Sequence, residues 1–139
     1  DGKDVEKLKQ KVKNLNLSEN VIFKSKMVNP FPYVKSALFT VLTSRHEGFP
    51  RVITESLALG TPVISVDCQS GPKEVIQNEY NGLLIENYKP EELANAMNRF
   101  VTDKNLYDIC KKNALKSVAH LSLENIAKDW QKILNPKNE

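Results

Sequence analysis

Two glutamates stand eight positions apart in the stretch SRHEGFPRVITES, Glu47 and Glu55, with Gly48, Phe49 and Pro50 between them. A carboxylate can accept hydrogen bonds from vicinal hydroxyls or face a developing positive charge. Glu47 falls where a loop is expected, and Glu55 about one turn into the helix that follows. The first amides of that helix, from Arg51, Val52 and Ile53, are expected to lack intrahelical acceptors and to face an anion. Gly48 allows close approach of backbone to ligand, and Pro50 needs no donor at a helix start. Two carboxylates at different depths from a bound phosphate suit a nucleotide sugar, one on the sugar ring and one on the ribose diol. The same pair also suits a solvated loop and helix face, and spacing alone leaves both readings open.

The elements around the pair favour a crevice. LFTVL (38 to 42) precedes it as a β-rich run, Arg51 to Leu59 reads as a helix, and Gly60 with Pro62 stops that helix. PVISVD and GLLIE read as further strands, with the turn and short helix of QSGPKEVIQ between them. VIFK (21 to 24) reads as an earlier strand, following an amphipathic helix over 3 to 16 with Val5, Leu8, Val12 and Leu15 on one side. Such alternation predicts an α/β fold, a Rossmann-like parallel sheet with helices on both faces. In an open sheet of this kind ligands bind beyond the carboxyl ends of the strands, where residues 44 to 50 fall. From Pro90 the pattern is helical only. Leu93, Met97 and Phe100 form one stripe beside Ala96 and Val101, and further helices are expected over about 104 to 119 and 122 to 134.

Composition bounds the rest. The 139 residues fit one domain, and 40% hydrophobic with 27% charged content is ordinary for a globular chain. The net charge of +3 lies mainly in KLKQKVKN and scattered helical lysines, without aromatic interleaving. Nucleic-acid binding is therefore not expected; solvated helix faces are, with a weak pull toward anionic ligands or membrane surfaces. Cys68 and Cys110 form no CxxC pair and sit among apolar neighbours, as reduced, buried thiols of a cytoplasmic protein do. No apolar run reaches the roughly 18 residues of a membrane span. The chain opens directly into a helix, as a fragment of a longer protein would. His46 either contacts a sugar or phosphate or orients the loop. Ser70, Gly71 and Pro72 form a turn that either faces the crevice or is structural. His120 and Trp130 are assigned to packing or surface.

SRHEGFPRVITESLALGTPVI, followed by DCQSGPKEVI, NGLLI and KPEELANAM and preceded by NVIF and YVKSALFTVLTS, resembles the donor-binding half of retaining glycosyltransferases of family 4. The resemblance runs in order over essentially the whole chain and implies one half of a GT-B fold. It makes residues 1–139 a nucleotide-sugar-binding domain, incomplete at its N-terminal side. It implies that Glu47 approaches the donor sugar near the reaction centre and that Gly48, Phe49 and Pro50 surround that sugar. Arg51 and Val52 would present amides to the diphosphate, Glu55 would hold the ribose hydroxyls, and Ser25 to Met27 would lie near the base. The implied donor is a nucleoside diphosphate sugar, UDP-linked, with no metal and no cofactor. The implied acceptor is a polysaccharide, lipopolysaccharide or glycolipid, reached through an N-terminal domain outside these residues. The family's basic residues near the diphosphate would also precede residue 1, so the fragment alone is expected to be inactive. Peripheral contact with the inner face of the membrane fits the basic first helix. The alternative is a binding module for a nucleotide or sugar phosphate that turns nothing over.

Overall fold

The computed structural model describes residues 2–86 and 88–135. The chain divides into two compact units, residues 1–30 and 31–139.

In the first unit, helix α1 spans Val5–Asn14, with Glu6 in its first turn and Lys11 and Lys13 in its last, each where the helix dipole favours it. Asn16 closes it in the left-handed conformation, φ +55°. Leu17 N–H donates to Val12 O and Asn16 N–H to Lys13 O, both at 3.0 Å, the bond pair that satisfies the last carbonyls of a helix. None of the α1 side chains is buried. The strand expected at 21 to 24 does not form. A strand exists by pairing, but the Val21 N–H is already engaged by Leu17 O at 3.0 Å in a turn, and Ile22 is 77% exposed.

The second unit opens with a short helix, α2 (Phe31–Ser36), and carries a three-stranded parallel sheet, β1 (Thr40–Leu42), β2 (Val63–Val66) and β3 (Gly82–Ile85), in that order. Thr40 pairs with Val63, and Val63 with Gly82. The strands are trimmed relative to the apolar runs that announce them. Helices α3 (Arg51–Ala58) and α4 (Pro72–Val75) make the two crossovers.

Central β2 is buried throughout, and its alternating side chains feed both faces. Val63 joins Ile53 and Leu57 of α3, Val75, Ala114 and Val118 in one cluster. Ile64 joins Leu83, Ala96, Phe100, Leu106 and Cys110 in the other. The sheet is thus covered on both sides, as expected. Helix α6 (Lys104–Ser117) serves both: Leu106 and Cys110 enter the second cluster, and Ala114, with Val118 just beyond the helix, the first. The Asp103 side chain caps it, accepting from Leu106 N–H at 2.9 Å.

Helix α5 (Pro90–Thr102) buries Ala96 and Phe100, while Met97 and Val101 are exposed. The inward stripe is therefore Leu93, Ala96 and Phe100; Leu93 and Phe100 fall where expected, with Ala96 in place of Met97, and Phe100 meets the Tyr107 ring edge-on at 5.9 Å between centroids. After the 3-10 turn Ala119–Leu121, helix α7 (Leu123–Leu134) is capped by Ser122 and buries no residue; Trp130 and His120 lie at the surface. Among the described residues no helix is long and apolar enough to cross a membrane.

Candidate functional site

Residues 43 to 50 leave the carboxyl end of β1 and enter α3, which places the Glu47 loop at the strand ends. Two other strand-end loops brace it. From the loop after β2, the Ser70 hydroxyl donates to Glu47 O. Gly71 has φ +95°, and a Cβ there would stand 2.6 Å from Gly48 O and 2.7 Å from Pro50 Cδ, so only glycine fits against the Gly48–Pro50 backbone. From the loop after β3, the Tyr88 hydroxyl donates to Ser44 O at 3.1 Å and to Arg45 O at 3.3 Å. The Ser70–Pro72 turn therefore both shapes the crevice and holds the glutamate loop in place.

Helix α3 is anchored from behind. Ile53, Ser56 and Leu57 are buried, and Ser56 Oγ donates to Thr61 O at 2.9 Å while accepting from Thr40 Oγ1 at 2.8 Å, which fixes α3 to β1 and to the turn before β2. Gly60, φ +77°, ends the helix as expected, with Thr61 N–H bonded to Ser56 O and Gly60 N–H to Leu57 O. At the other end the expectation of three open amides is corrected. Arg51 N–H is taken by Phe49 O and Ile53 N–H by Pro50 O, both at 2.9 Å, because the chain turns tightly through Pro50. Among the described residues the Val52 N–H alone of these three has no acceptor.

Two open clefts flank the loop and helix. The first, about 610 Å³, lies beyond the strand ends and is lined by Arg45, His46, Asp67, Cys68, Gln69 and Tyr88. The second, about 530 Å³, runs along the outer face of α3, where Phe49, Arg51, Thr54, Glu55 and Ala58 face Leu115 to Ser122 at the end of α6. The structure thus separates the candidate residues. His46 lines the first cleft; Phe49, Arg51 and Glu55 line the second; Glu47, Gly48 and Pro50 belong to the stretch of chain between. Glu47 is half-buried, Gly48 and Val52 are exposed, and Pro50 is buried. Glu55 and Arg51 approach to 3.4 Å, but Arg51 is 84% exposed, so the pair is weak and the guanidinium is free to turn to another anion. Ser25 to Met27 belong to the first unit as coil.

Three participants were missed in the sequence. Asp67 directly follows β2, a position the strand-end rule points to. Tyr88 and the Leu115–Ser122 wall carry no local signal. Cys68 is buried beside the first cleft, and Cys110, buried in the second cluster, has its thiol pushed up to about 11 by burial and by the charge of Glu79. Neither thiol is placed as a nucleophile. Among the described residues no three His, Cys, Asp or Glu side chains converge to hold a metal ion.

A parallel α/β unit with an open cleft at the carboxyl ends of its strands is the Rossmann-like class of ligand-binding domain. The sequence narrows this class: residues 1–117 match the model of glycosyl transferases group 1, and the chain belongs to that family. It is 31% identical over 134 residues to the poly(glycerol-phosphate) alpha-glucosyltransferase of Bacillus subtilis, covering 96% of this chain and 20% of that protein. It is 37% identical over 111 residues to the lipopolysaccharide 1,6-galactosyltransferase of Escherichia coli, covering 77% of this chain and 29% of that one. Among solved structures, Anabaena HepE in complex with UDP superposes with a TM-score of 0.86 at 25% identity, over 95% of this chain and 36% of HepE. The C-terminal domain of a group 1 glycosyl transferase, LpcC of Francisella tularensis, gives 0.73 at 26% identity, over 86% of this chain and 64% of that one. The fold is that of the C-terminal domain of a GT-B glycosyltransferase, and the chain spans well under half the length of the curated relatives named here.

Proposed function

We propose that this chain is the donor-binding half of a retaining glycosyltransferase that moves a hexose from a UDP-linked sugar to a polysaccharide, lipopolysaccharide or glycolipid acceptor. The observation that carries this reading is the glutamate loop: it sits at the carboxyl end of β1, is braced by both neighbouring strand-end loops, and runs into a helix whose Val52 amide is open and whose Glu55 faces a cleft. Family membership supports it, as do the sugar-transfer names of the relatives and the UDP bound by HepE.

In this reading Glu47 stands near the reacting carbon of the donor sugar, with Gly48, Phe49 and Pro50 around the ring and His46 beside it. The Val52 N–H and the positive end of α3 receive the diphosphate, and the Arg51 side chain turns to it. Glu55 accepts from the ribose hydroxyls. No metal is required, because the helix terminus and basic side chains stabilise the leaving diphosphate. Residues 1–139 belong to the nucleotide-sugar domain, and a separate N-terminal domain holds the acceptor. The enzyme works in the cytoplasm, where the lysines of α1 favour contact with the inner face of the membrane.

Calorimetric titration of the whole protein with UDP, GDP and ADP, with and without a chelator, tests this. Chelator-insensitive binding of UDP that is lost in Glu55→Ala is the expected result. Failure of all three nucleotides to bind, or binding that vanishes with the chelator, refutes it.

A further inference from the structure

The cleft beyond the strand ends contains a group that the glutamate motif does not account for. Asp67 lies at the centre of a three-residue turn, in which Cys68 N–H bonds Val66 O at 3.0 Å, while its own N–H is tied to Ile85 O at 2.8 Å. Its backbone is therefore fixed to two strands. Its carboxylate is not fixed. Oδ1 is buried and receives no hydrogen bond, and Asp67 forms no ion pair among the described residues. A carboxylate oxygen enclosed without a donor is unfavourable, and the terminal torsion of an aspartate is soft. A donor arriving in the cleft can draw the carboxylate outward, relieving that penalty and forming a charge-assisted hydrogen bond.

The neighbours show which donors suit the place. Gln69 offers a carboxamide, Tyr88 an aromatic ring whose hydroxyl is committed to the loop backbone, and Arg45 and His46 offer cationic or neutral donors. The Asp67 carboxylate, the Gln69 amide and the Tyr88 ring face, with Arg45 and His46 as donors, around an open cleft of about 610 Å³ match a polyhydroxylated ring, whose hydroxyls both donate and accept. His46 adjoins Glu47 in the chain, which places this cleft next to the loop assigned above to the donor sugar.

We propose that Asp67 is a specificity residue of the donor-sugar subsite, its carboxylate accepting from hydroxyls of the hexose, with Tyr88 as the wall that holds the subsite in shape. The assignment rests on the donor-binding reading and adds to it the group that tells one hexose from its epimer. Because a buried polar group left unpaired discriminates strongly, loss of the carboxylate is read as loss of selectivity.

The test is titration of the whole protein, and of its Asp67→Ala and Asp67→Asn variants, with UDP, UDP-glucose and UDP-galactose. Bare UDP reports the nucleotide site and whether each variant is folded. The expected result is UDP affinity within about twofold in all three proteins, wild-type preference of roughly tenfold or more between the two epimers, and collapse of that preference in Asp67→Ala to less than about threefold. Asp67→Asn, which keeps the shape and one acceptor, is expected to retain part of the preference and carries the test if the alanine variant does not fold. Undiminished preference in the variants, or none in the wild type, overturns the assignment while leaving the UDP site standing. No UDP binding in the wild type refutes the donor-binding reading, and the assignment falls with it.

Discussion

Replacing Gly71 by alanine tests how the glutamate loop is held. At φ +95° and ψ −63°, a backbone conformation that residues with a side chain rarely adopt, alanine costs roughly 1–2 kcal/mol, and the new Cβ would lie 2.6 Å from Gly48 O and 2.7 Å from Pro50 Cδ. Both neighbours are backbone or ring atoms that cannot swing aside, so overpacking adds roughly 1–3 kcal/mol. Gly71→Ala should therefore lose about 2–5 kcal/mol of stability in urea unfolding, with the slope unchanged. Gly48→Ala is the matched control: nothing lies within 4 Å of its Cβ, and its φ is not positive. It should change stability by no more than about 0.5 kcal/mol, yet weaken binding of a nucleotide sugar, because the added methyl enters the space that the ligand approaches. A loss below about 1 kcal/mol for Gly71→Ala, or equal losses for the two variants, would refute the bracing described here.

Other outcomes follow from the same geometry. Glu55→Ala should weaken UDP binding by about 1–3 kcal/mol by calorimetry, since two ribose hydroxyls lose a charged acceptor, while the melting temperature barely moves because the Arg51 pair is exposed. An unchanged dissociation constant removes Glu55 from the site. In the whole protein Glu47→Ala should cut turnover more than affinity for bare UDP, and equal losses would make Glu47 a binding residue only. Cys110 should resist alkylation in the folded protein at pH 8. Its folded pKa, about 11, lies above the unfolded value, so its stabilising contribution is complete below about pH 9 and is lost as pH rises toward 11, by roughly 2–3 kcal/mol. Equal melts at pH 8 and pH 11 for wild type, compared with Cys110→Ser, would contradict this.

Much of the layout was legible because local chemistry and tertiary structure agree. Gly60 and Pro62 announce the end of α3, and Pro90 the start of α5, through backbone restrictions that hold in any context. The run PVISVD reads as a strand, and Val63–Val66 within it form one, buried throughout. The misreadings arise where partners decide. Val21 to Lys24 has strand composition, but its first amide is spent in a turn. On α5, Leu93 and Phe100 face inward as expected, but helical spacing admits neighbouring faces, and the sheet selects Ala96 over Met97 and Val101. At the site, the loop and the helix start were visible, whereas the bracing by Gly71 and Tyr88 and the division into two clefts depend on residues distant in sequence, and the two occupied amides depend on a tight local turn through Pro50 that the residue types do not announce.

The double duty of α6 bears on how the second unit comes apart. Its first half is seated on one face of the sheet and its end on the other, so pulling it away opens both faces together. Local opening events that would otherwise be confined to one layer are thereby merged, and amide protons in β2 should exchange through a single opening shared with α3 and α5. A ligand that clamps α3 would then slow exchange on the far side of the sheet without touching it.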